Sequence, residues 1–325
     1  MTARRIGRFA LATMAAMIIV SFLVVFWVTQ PMWGGTSETL PIRVSAANLK
    51  ADVELLSARH AGRDFAHPEI LDATASMIES RFAAAGARVE SQRYEVDGAT
   101  YRNVIARFGP REGRPVVVGA HYDTAEGSGG ADDNAGSVAG LLELARLFGR
   151  EAPRVPVELL AFTLEEPPAF RTADMGSAHH AALAASGEMR PLAVVVLEMI
   201  GYFDDRAGSQ RYPMAWLGVL YPKTGDFIAV VGRLADASLV RAVKAGVRAT
   251  GIPVRSINAP TWLPGVDFSD HASYWTHDIP AVMVTDTAFY RNPHYHRLGD
   301  TPETLDYRRM ALVVQGVGTW VRTWR

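Results

Sequence analysis

The chain has 325 residues, of which 49% are hydrophobic, and its formal net charge at pH 7 is -1. This composition allows one large α/β domain or two small ones, and the balanced charge argues against the basic surface that nucleic-acid binding requires. Because the sequence contains no cysteine, disulfides, thiolate nucleophiles and cysteine-ligated zinc are excluded, so any metal must be held by histidine and carboxylate side chains.

The first residues predict a membrane anchor. Arg4, Arg5 and Arg8 precede an uncharged run over residues 9–28, and a helix of that length, at about 1.5 Å per residue, crosses a hydrocarbon core of about 30 Å. The arginines favour a cytoplasmic segment at residues 1–8, which places the rest of the chain in the periplasm or outside the cell. A cleaved signal peptide is the alternative, although its apolar region is usually shorter, about 7–15 residues.

Residues 29–45 are rich in glycine, proline, serine and threonine and are predicted to be a linker, so that residues 46–325 form the folded domain. In that domain, short apolar runs that suit buried strands alternate with segments of helical periodicity. This alternation predicts an α/β fold with a mixed, mostly parallel central sheet and helices on both faces. The predicted strands cover residues 88–108 (a pair), 114–120, 157–163, 192–197, 227–231 and 281–285, and the helices cover 70–85, 137–148, 177–185, 238–250 and 305–324.

Histidines and carboxylates follow the apolar runs at the points where the predicted strands end. In open α/β sheets, binding sites lie beyond the carboxyl ends of the strands, so these side chains are expected to meet at one edge. Each has an ordinary interpretation alone: a single histidine is usually structural, and an aspartate among glycines is usually a turn residue. The residues of this set are His121, Asp123, Asp133, Glu165, Glu166, Glu198 and His296.

Five motifs occur in a fixed order that resembles the M28 metallopeptidases, the co-catalytic zinc aminopeptidases and their relatives. They are His-x-Asp at 121–123, Gly-Ala-Asp-Asp-Asn at 130–134, Glu-Glu at 165–166, Leu-Glu-Met-Ile-Gly at 197–201 and Tyr-His-x-x-x-Asp-Thr at 295–301. Any one motif is weak, whereas the five in order are specific. The resemblance implies a zinc-exopeptidase-like fold and hydrolysis of peptide bonds in a peptide or protein substrate.

The resemblance also implies two zinc ions and assigns their ligands. It makes Asp133 the bridging carboxylate, gives His121 to the first zinc, and gives Glu166 and His296 to the second. Glu198 stands where the family usually has an aspartate that completes the first site. Its side chain is one methylene longer, which leaves open whether the protein binds two zinc ions or one.

Three further roles follow from the resemblance. Glu165 matches the general base, Asp123 matches the carboxylate that orients His121, and Tyr295 is a candidate donor to the tetrahedral oxyanion. The segment 269–271, Ser-Asp-His, is not expected to be a serine triad, because triads assemble across a fold rather than from contiguous residues. The resemblance places that segment near the substrate.

Two other functions remain open beside an aminopeptidase. Relatives that act as glutaminyl cyclases work with a single zinc, for which Asp133, Glu166 and His296 suffice. A non-enzymatic ectodomain is a third possibility, but such proteins generally lose ligands that this chain retains. The aromatic residues of segment 202–226 are expected either to cover the substrate or to pack on the sheet. The oligomeric state and the preferred substrate are not predicted.

Overall fold

A computed structural model of the protein describes residues 3–32, 43–187 and 190–324. Its strands are β1 (Arg88–Val96), β2 (Ala99–Phe108), β3 (Val116–His121), β4 (Val157–Phe162), β5 (Ala193–Glu198), β6 (Asp204–Ala207), β7 (Thr224–Gly225), β8 (Ile228–Gly232), β9 (Val254–Asn258) and β10 (Ala281–Thr285). Its α-helices are α1 (Ala3–Thr29), α2 (Ala46–Arg59), α3 (Pro68–Ala84), α4 (Ser137–Arg150), α5 (Gly176–Ser186), α6 (Leu217–Leu220), α7 (Ala237–Arg248), α8 (His271–Trp275) and α9 (Tyr307–Thr323).

Eight of these strands form one sheet in the order β1-β2-β4-β3-β5-β10-β8-β9. The four central strands, β4, β3, β5 and β10, run parallel to one another, and β8 pairs with β9 in the same way. The pairs β1/β2, β2/β4 and β10/β8 are antiparallel. The prediction of a mixed, mostly parallel sheet is therefore confirmed, and it is this parallel centre that brings several strand ends to one edge.

The central strands are buried because both faces of the sheet are covered. Every residue of β3, β4 and β5 is buried, and their side chains alternate between two apolar cores. Val116 and Val118 belong to the core under α2, α3, α4, α7 and α9, whereas Val117 belongs to the core under α5, α6 and α8. This alternation follows from the two-residue period of a strand and explains why the strands read as continuous apolar runs.

The predicted helices and strands of the domain are found with small shifts at their ends. The elements α2 and β9 and the short elements β6, β7, α6 and α8 were not predicted. Helix α2 begins after Ser45, whose hydroxyl accepts a hydrogen bond from the backbone N–H of Asn48. Strand β9 buries Val254, Ser256 and Asn258. Because two of those three side chains are polar, the strand lacks the apolar run by which its neighbours were recognised.

Residues 9–28 are helical as part of α1. Within the described ranges, however, no helix combines the length and the apolar character needed to cross a membrane. The predicted transmembrane helix is thus not supported, and the cellular location that was predicted with it stays a prediction. The linker predicted at residues 29–45 lies mostly outside the described residues, as do residues 1–2 of the predicted cytoplasmic segment.

The carboxyl end of α1 is joined to the domain by hydrogen bonds to its last backbone carbonyls. The Lys244 ammonium donates to the carbonyl oxygens of Thr29 and Gln30 at 3.0 and 2.8 Å, and to the Ser256 hydroxyl at 3.0 Å. The Asn258 side chain donates to the carbonyl of Trp27 at 2.9 Å. The last four carbonyls at the carboxyl end of an α-helix have no partner within the helix. Here side chains from α7 and β9 satisfy some of them.

Candidate metal centre

The side chains selected from the sequence meet at the carboxyl edge of the parallel strands. His121 is the last residue of β3 and Glu198 is the last residue of β5. Asp133 lies in the turn before α4, and His296 lies in the loop after β10. The structure groups these residues with Glu165 and Glu166 into three overlapping sets in which one atom from each residue lies within 4.8 Å of the others.

The first set consists of His121, Asp133 and Glu198. The Nε2 atom of His121 lies 3.3 Å from Oδ1 of Asp133 and 3.4 Å from Oε2 of Glu198. All three side chains are buried. Glu198 therefore occupies the first predicted zinc site in spite of its extra methylene group.

The second set consists of Asp133, Glu166 and His296. The Nε2 atom of His296 lies 3.2 Å from Oδ2 of Asp133 and 3.1 Å from Oε2 of Glu166. Among the described residues, Oε1 of Glu166 has no hydrogen-bond partner, although it is buried. Asp133 thus turns one carboxylate oxygen towards each histidine, which is the arrangement expected of a residue shared between two ions.

The backbone around Asp133 is fixed by a second carboxylate. Oδ1 of Asp300 accepts a hydrogen bond from the backbone N–H of Asp132 at 2.9 Å, and Oδ2 accepts one from the N–H of Asp133 at 3.0 Å. The peptide bond between Asp133 and Asn134 is cis. Asn134 in turn holds the residues on either side of Glu198, because its side chain donates to the carbonyl of Leu197 and accepts from the N–H of Met199.

Glu165 and Glu166 diverge because of a backbone turn just before them, not because a strand passes through them. An extended strand through both residues would separate their side chains, but β4 ends at Phe162, and Leu164 has a φ of +60°. The turn at Leu164 directs Glu165 towards the first set, with its Oε2 atom 4.0 Å from Nε2 of His121, and Glu166 towards His296. Residues with positive φ that are not glycine also include Met199 and His296, and such outliers cluster at functional sites.

Burial and crowded negative charge dominate the electrostatics of the site. Burial raises the pKa of Glu165 well above its usual range, and the nearby Glu198 and Glu166 carboxylates raise it further. Burial likewise raises the pKa of Glu166 to about 7 and that of Glu198 above its ordinary value. These shifts show that the site cannot hold several bare carboxylates without positive charge between them.

The surrounding carboxylates favour the protonated form of the two histidines. Burial alone would lower the pKa of His296, but hydrogen bonds to Asp133 and Glu166 raise it to about 10. In the same way, the Glu198 carboxylate and hydrogen bonds to Asp123 and Asp133 raise the pKa of His121 against the effect of burial. Hydrogen bonds from both imidazoles outweigh burial at Asp133 and hold its pKa below the usual range. Positive charge between these carboxylates is therefore favoured.

Asp123 lies where the sequence placed it, beside His121. The Nδ1 atom of His121 is 3.2 Å from the carbonyl oxygen of Asp123 and 3.4 Å from its Oδ1 atom. The other carboxylate oxygen, Oδ2, accepts a hydrogen bond from the backbone N–H of Glu166 at 3.0 Å. Asp123 thereby links a ligand of the first set to a ligand of the second.

Tyr295 stacks on the ring of His296, with 3.8 Å between the ring centroids, and packs against Phe289. It also lines, together with Glu198, a cavity of about 120 Å³ next to the two metal-ligand sets. Segment 202–226 contributes Tyr212, Leu217 and Tyr221 to the cavity wall, and the same three residues pack in or against the apolar core on that face of the sheet. The wall is mostly aromatic and aliphatic and includes Tyr212, Leu217, Tyr221, Phe227, Leu263, Val266, Phe268 and Met283.

Two residues near the site were missed by sequence reasoning. Arg63 is fully buried and donates to the carbonyls of Tyr122 and Gly130, both at 2.7 Å, so it joins the segments that carry His121 and Asp133. Nothing in its local sequence pointed to this role. Ser269 donates to Oε2 of Glu198 at 2.7 Å. Its neighbour His271 bonds the carbonyl of Val266, so the segment forms no serine triad, as expected.

The chain was compared with known families and sequences. The family model described as peptidase family M28 matches residues 103–321. The uncharacterized protein YfbL of Escherichia coli (strain K12) is 45% identical over 317 residues, which cover 93% of this chain and 97% of that protein. These matches span the whole set of candidate ligands.

Solved structures with the same fold include two bacterial aminopeptidases. The zinc aminopeptidase BSAP from Bacillus subtilis has a TM-score of 0.69 at 14% identity and covers 87% of this chain and 95% of its own. The LapA aminopeptidase of Legionella pneumophila has a TM-score of 0.68 at 20% identity, and the match covers 86% of this chain and 71% of LapA. A glutaminyl cyclase of Bacteroides thetaiotaomicron, bound to N-acetylhistamine, has a TM-score of 0.67 at 16% identity. The match covers 87% of this chain and 99% of the cyclase. At these identities the likeness concerns the fold alone.

Proposed function

This chain belongs to peptidase family M28, and from that premise we propose that it is a two-zinc aminopeptidase, which releases residues from the amino terminus of peptides. The observation that carries the proposal is the position of Asp133. Its two carboxylate oxygens face two different histidines, each of which is accompanied by its own glutamate. A site for one ion needs no such shared carboxylate.

The donor atoms fit zinc in both chemistry and spacing. Imidazole nitrogens and carboxylate oxygens are suitable zinc ligands, and atoms bound tetrahedrally at about 2.0–2.2 Å lie about 3.3–3.6 Å from one another. The separations in the two sets range from 3.1 to 3.4 Å. The buried Oε1 atom of Glu166 has no hydrogen-bond partner among the described residues, which fits a role as a metal ligand.

The residues of the chain divide the chemistry between them. When bound, the two zinc ions would polarise the scissile carbonyl and make a water molecule more acidic. Glu165, whose pKa burial raises, accepts the proton of the attacking water and passes it to the leaving amine. Its carboxylate oxygen Oε2 lies 4.0 Å from Nε2 of His121, close enough to act on a water molecule at the first ion.

The neighbouring cavity favours an apolar side chain of the substrate. Its volume of about 120 Å³ is close to that of an engineered apolar cavity of about 150 Å³ that holds benzene. A leucine or phenylalanine side chain suits this space. The side-chain amide of a glutaminyl substrate would need hydrogen-bond partners, and a wall that is mostly aromatic and aliphatic offers few.

A glutaminyl cyclase-like acyl transferase with one zinc is the second candidate. Asp133, Glu166 and His296 form a complete set for it without the first site. Under that hypothesis His121 and Glu198 are not metal ligands, and the close, buried contact between these two side chains has no catalytic role. A non-enzymatic role is disfavoured because every ligand position holds a residue that can bind zinc.

The test combines metal counting with two assays on the purified full chain. We expect two peaks in anomalous scattering at the zinc edge and hydrolysis of leucyl- and phenylalanyl-anilides, which Glu198→Ala should largely abolish. One zinc peak together with cyclisation of N-terminal glutaminyl peptides would establish the cyclase instead. Unchanged anilide hydrolysis by Glu198→Ala would refute the two-metal mechanism.

A further inference from the structure

The cavity beside the metal centre follows one row of residues across the sheet. Glu198 on β5 is in register with Thr285 on β10. Thr285 is in register with Ala229 on β8, which in turn is in register with Arg255 on β9. Residues in register point to the same face of a sheet, and all four line the cavity. Because neighbouring strands lie about 4.8 Å apart, the row runs for about 14 Å from the metal ligand to the arginine.

Arg255 lies on the cavity face of β9. Val254 belongs to the core on the opposite face, whereas Ile257 packs against the core on the cavity face. The two-residue period of a strand therefore directs Arg255 to the same side as Ile257. Burial raises the pKa of Tyr221, a residue of the cavity wall, and the charge of Arg255 opposes that rise. The guanidinium is thus close to the wall, although Arg255 is exposed at this end of the cavity.

The guanidinium of Arg255 has donors available for a ligand. Among the described residues it forms no ion pair, and its one hydrogen bond, from Nη1 to the carbonyl of Val254, is 3.5 Å long, which is longer than an ordinary hydrogen bond. Other polar groups of the wall are engaged. The guanidinium of Arg211 donates to the carbonyl of Phe289 at 2.9 Å. The tyrosine hydroxyls that each donate to a backbone carbonyl belong to Tyr212, Tyr221 and Tyr290.

A substrate side chain that lies along this row meets apolar groups first and a cation last. The adjacent row of the sheet consists of Met283, Val231 and Ile257, and aromatic rings cover the other side. Such a path suits an aromatic ring, which buries a large apolar area. The ring of tyrosine also carries an oxygen at its far end, to which a guanidinium can donate a hydrogen bond, whereas phenylalanine carries none. An acidic side chain would place its charge among the apolar groups.

We infer that Arg255 is a specificity-determining residue, which selects tyrosine over phenylalanine at the amino terminus of the substrate by donating a hydrogen bond to the phenolic oxygen. The inference rests on the proposed aminopeptidase function and names its substrate class. A hydrogen bond of this kind at a solvent-exposed position should contribute about 3–10-fold to kcat/KM. Because Arg255 lies far from the metal ligands, its loss should leave the chemical step unchanged.

The experiment compares kcat/KM for tyrosyl- and phenylalanyl-anilides on the zinc-loaded full chain. The ratio of the two values does not depend on the fraction of active enzyme. The wild type should favour the tyrosyl substrate about 3–10-fold. Arg255→Met should lower the ratio to about one without slowing phenylalanyl hydrolysis, and Arg255→Lys should retain part of the preference. The control is Arg241→Met, which removes an exposed cation of α7 that does not line the cavity.

The outcomes separate this inference from the function on which it rests. If the wild type hydrolyses both anilides without preferring tyrosine, or if the preference survives in Arg255→Met, the role of Arg255 is refuted while the aminopeptidase stands. A preference that disappears in Arg211→Met instead would assign the phenolic oxygen to the other arginine of the wall and refute the inference. Faster hydrolysis of a glutamyl-anilide than of either aromatic substrate would also overturn it. A chain that hydrolyses none of these anilides would overturn the proposed function and the inference together.

Discussion

Two clusters of charged side chains in this protein differ in how completely their buried members are paired. The metal-ligand cluster consists of His121, Asp133, Glu165, Glu166, Glu198 and His296 and brings four carboxylates together with two imidazoles. The Arg102 cluster joins the guanidinium of Arg102, on β2, to Asp72, Ser76 and Glu79 of α3 and to Ser91 of β1.

The Arg102 cluster is close to saturated. Its guanidinium donates to the Ser76 hydroxyl at 2.6 Å, to Glu79 at 3.0 Å and to the carbonyl of Asp72 at 3.0 Å. In the metal-ligand cluster, burial and then the like charges of neighbouring carboxylates raise the pKa of Glu165 and Glu166, and this rise is an energetic cost to the fold. The difference teaches that burial of charge alone does not mark a functional site, whereas burial with an uncompensated excess of one sign does.

The largest expected effect is a loss of catalysis when the metal-ligand cluster is altered. Glu165→Gln keeps the shape of the side chain but cannot accept a proton, so kcat on an aminoacyl-anilide should fall about 10²–10⁴-fold. Zinc content, measured by elemental analysis, should stay at the wild-type value. The matched control is Glu112→Gln at an exposed turn. Turnover near the wild-type rate in a metal-loaded Glu165→Gln protein would remove Glu165 from the mechanism.

The second prediction concerns protons in the metal-ligand cluster. His296, with a pKa of about 10 in the metal-free protein, must lose its proton to bind an ion. The apparent zinc affinity of its site should therefore rise about tenfold per pH unit, or about 100-fold from pH 7 to pH 9. Calorimetry in two buffers of different ionisation enthalpy should detect one proton released from the protein when this ion binds. A zinc affinity that does not change between pH 7 and pH 9 would contradict the raised pKa of His296.

The third prediction applies to the Arg102 cluster and should affect stability alone. Arg102→Met keeps most of the apolar stem but removes the hydrogen bonds to charged groups, which should cost about 2 kcal/mol and lower Tm by about 4–8 °C. Zinc content and kcat should not change. Arg93→Met is the control, because Arg93 is the cross-strand partner of Arg102 but is exposed. A selective loss of zinc from Arg102→Met would show that the two clusters are coupled.

The sequence predicted the centre of the sheet well because the physics there is local. Strands β3, β4 and β5 are buried on both faces, so each appears as a mainly apolar run, interrupted only by Glu158 in β4, and a candidate ligand or base lies at or just after its end. The identity of the ligands came from the order of the motifs, and the structure brings all of those residues together. Whether they bind two ions is a matter for the metal count.

The parts that were not predicted depend on contacts between distant residues. Ser269 reaches Glu198 across 71 positions, and Arg63 reaches Gly130 across 67. No local pattern encodes such pairs. The turn at Leu164 likewise could not be inferred, because leucine rarely adopts a positive φ and the surrounding fold imposes it. The apolar run at residues 9–28 predicted a helix correctly, but hydropathy alone did not establish a membrane span.

The smallest expected effect tests a third buried charge, Lys244, which resembles Arg102 in having polar partners throughout. Its ammonium binds the carbonyls of Thr29 and Gln30 at the end of α1, where a cation also interacts favourably with the helix dipole. Lys244→Met retains the apolar stem and removes these bonds. We expect the last turn of α1 to lose about 1 kcal/mol of local stability. Hydrogen exchange at the N–H of Gln30, which donates to Phe26, should then be about fivefold faster.

The dependence on pH gives this prediction its sign. Burial lowers the pKa of Lys244 to about 8, so above that pH the folded protein releases a proton that the unfolded chain keeps up to a pH of about 10. Stability contributed by this group must therefore rise with pH between 8 and 10, since the unfolded state binds more protons there. Lys244→Met lacks this term, so its deficit in unfolding free energy relative to the wild type should grow over that interval. A deficit that shrinks from pH 8 to pH 10 would mean that the ammonium is stabilised where it lies, and that Lys244 is as fully compensated as Arg102.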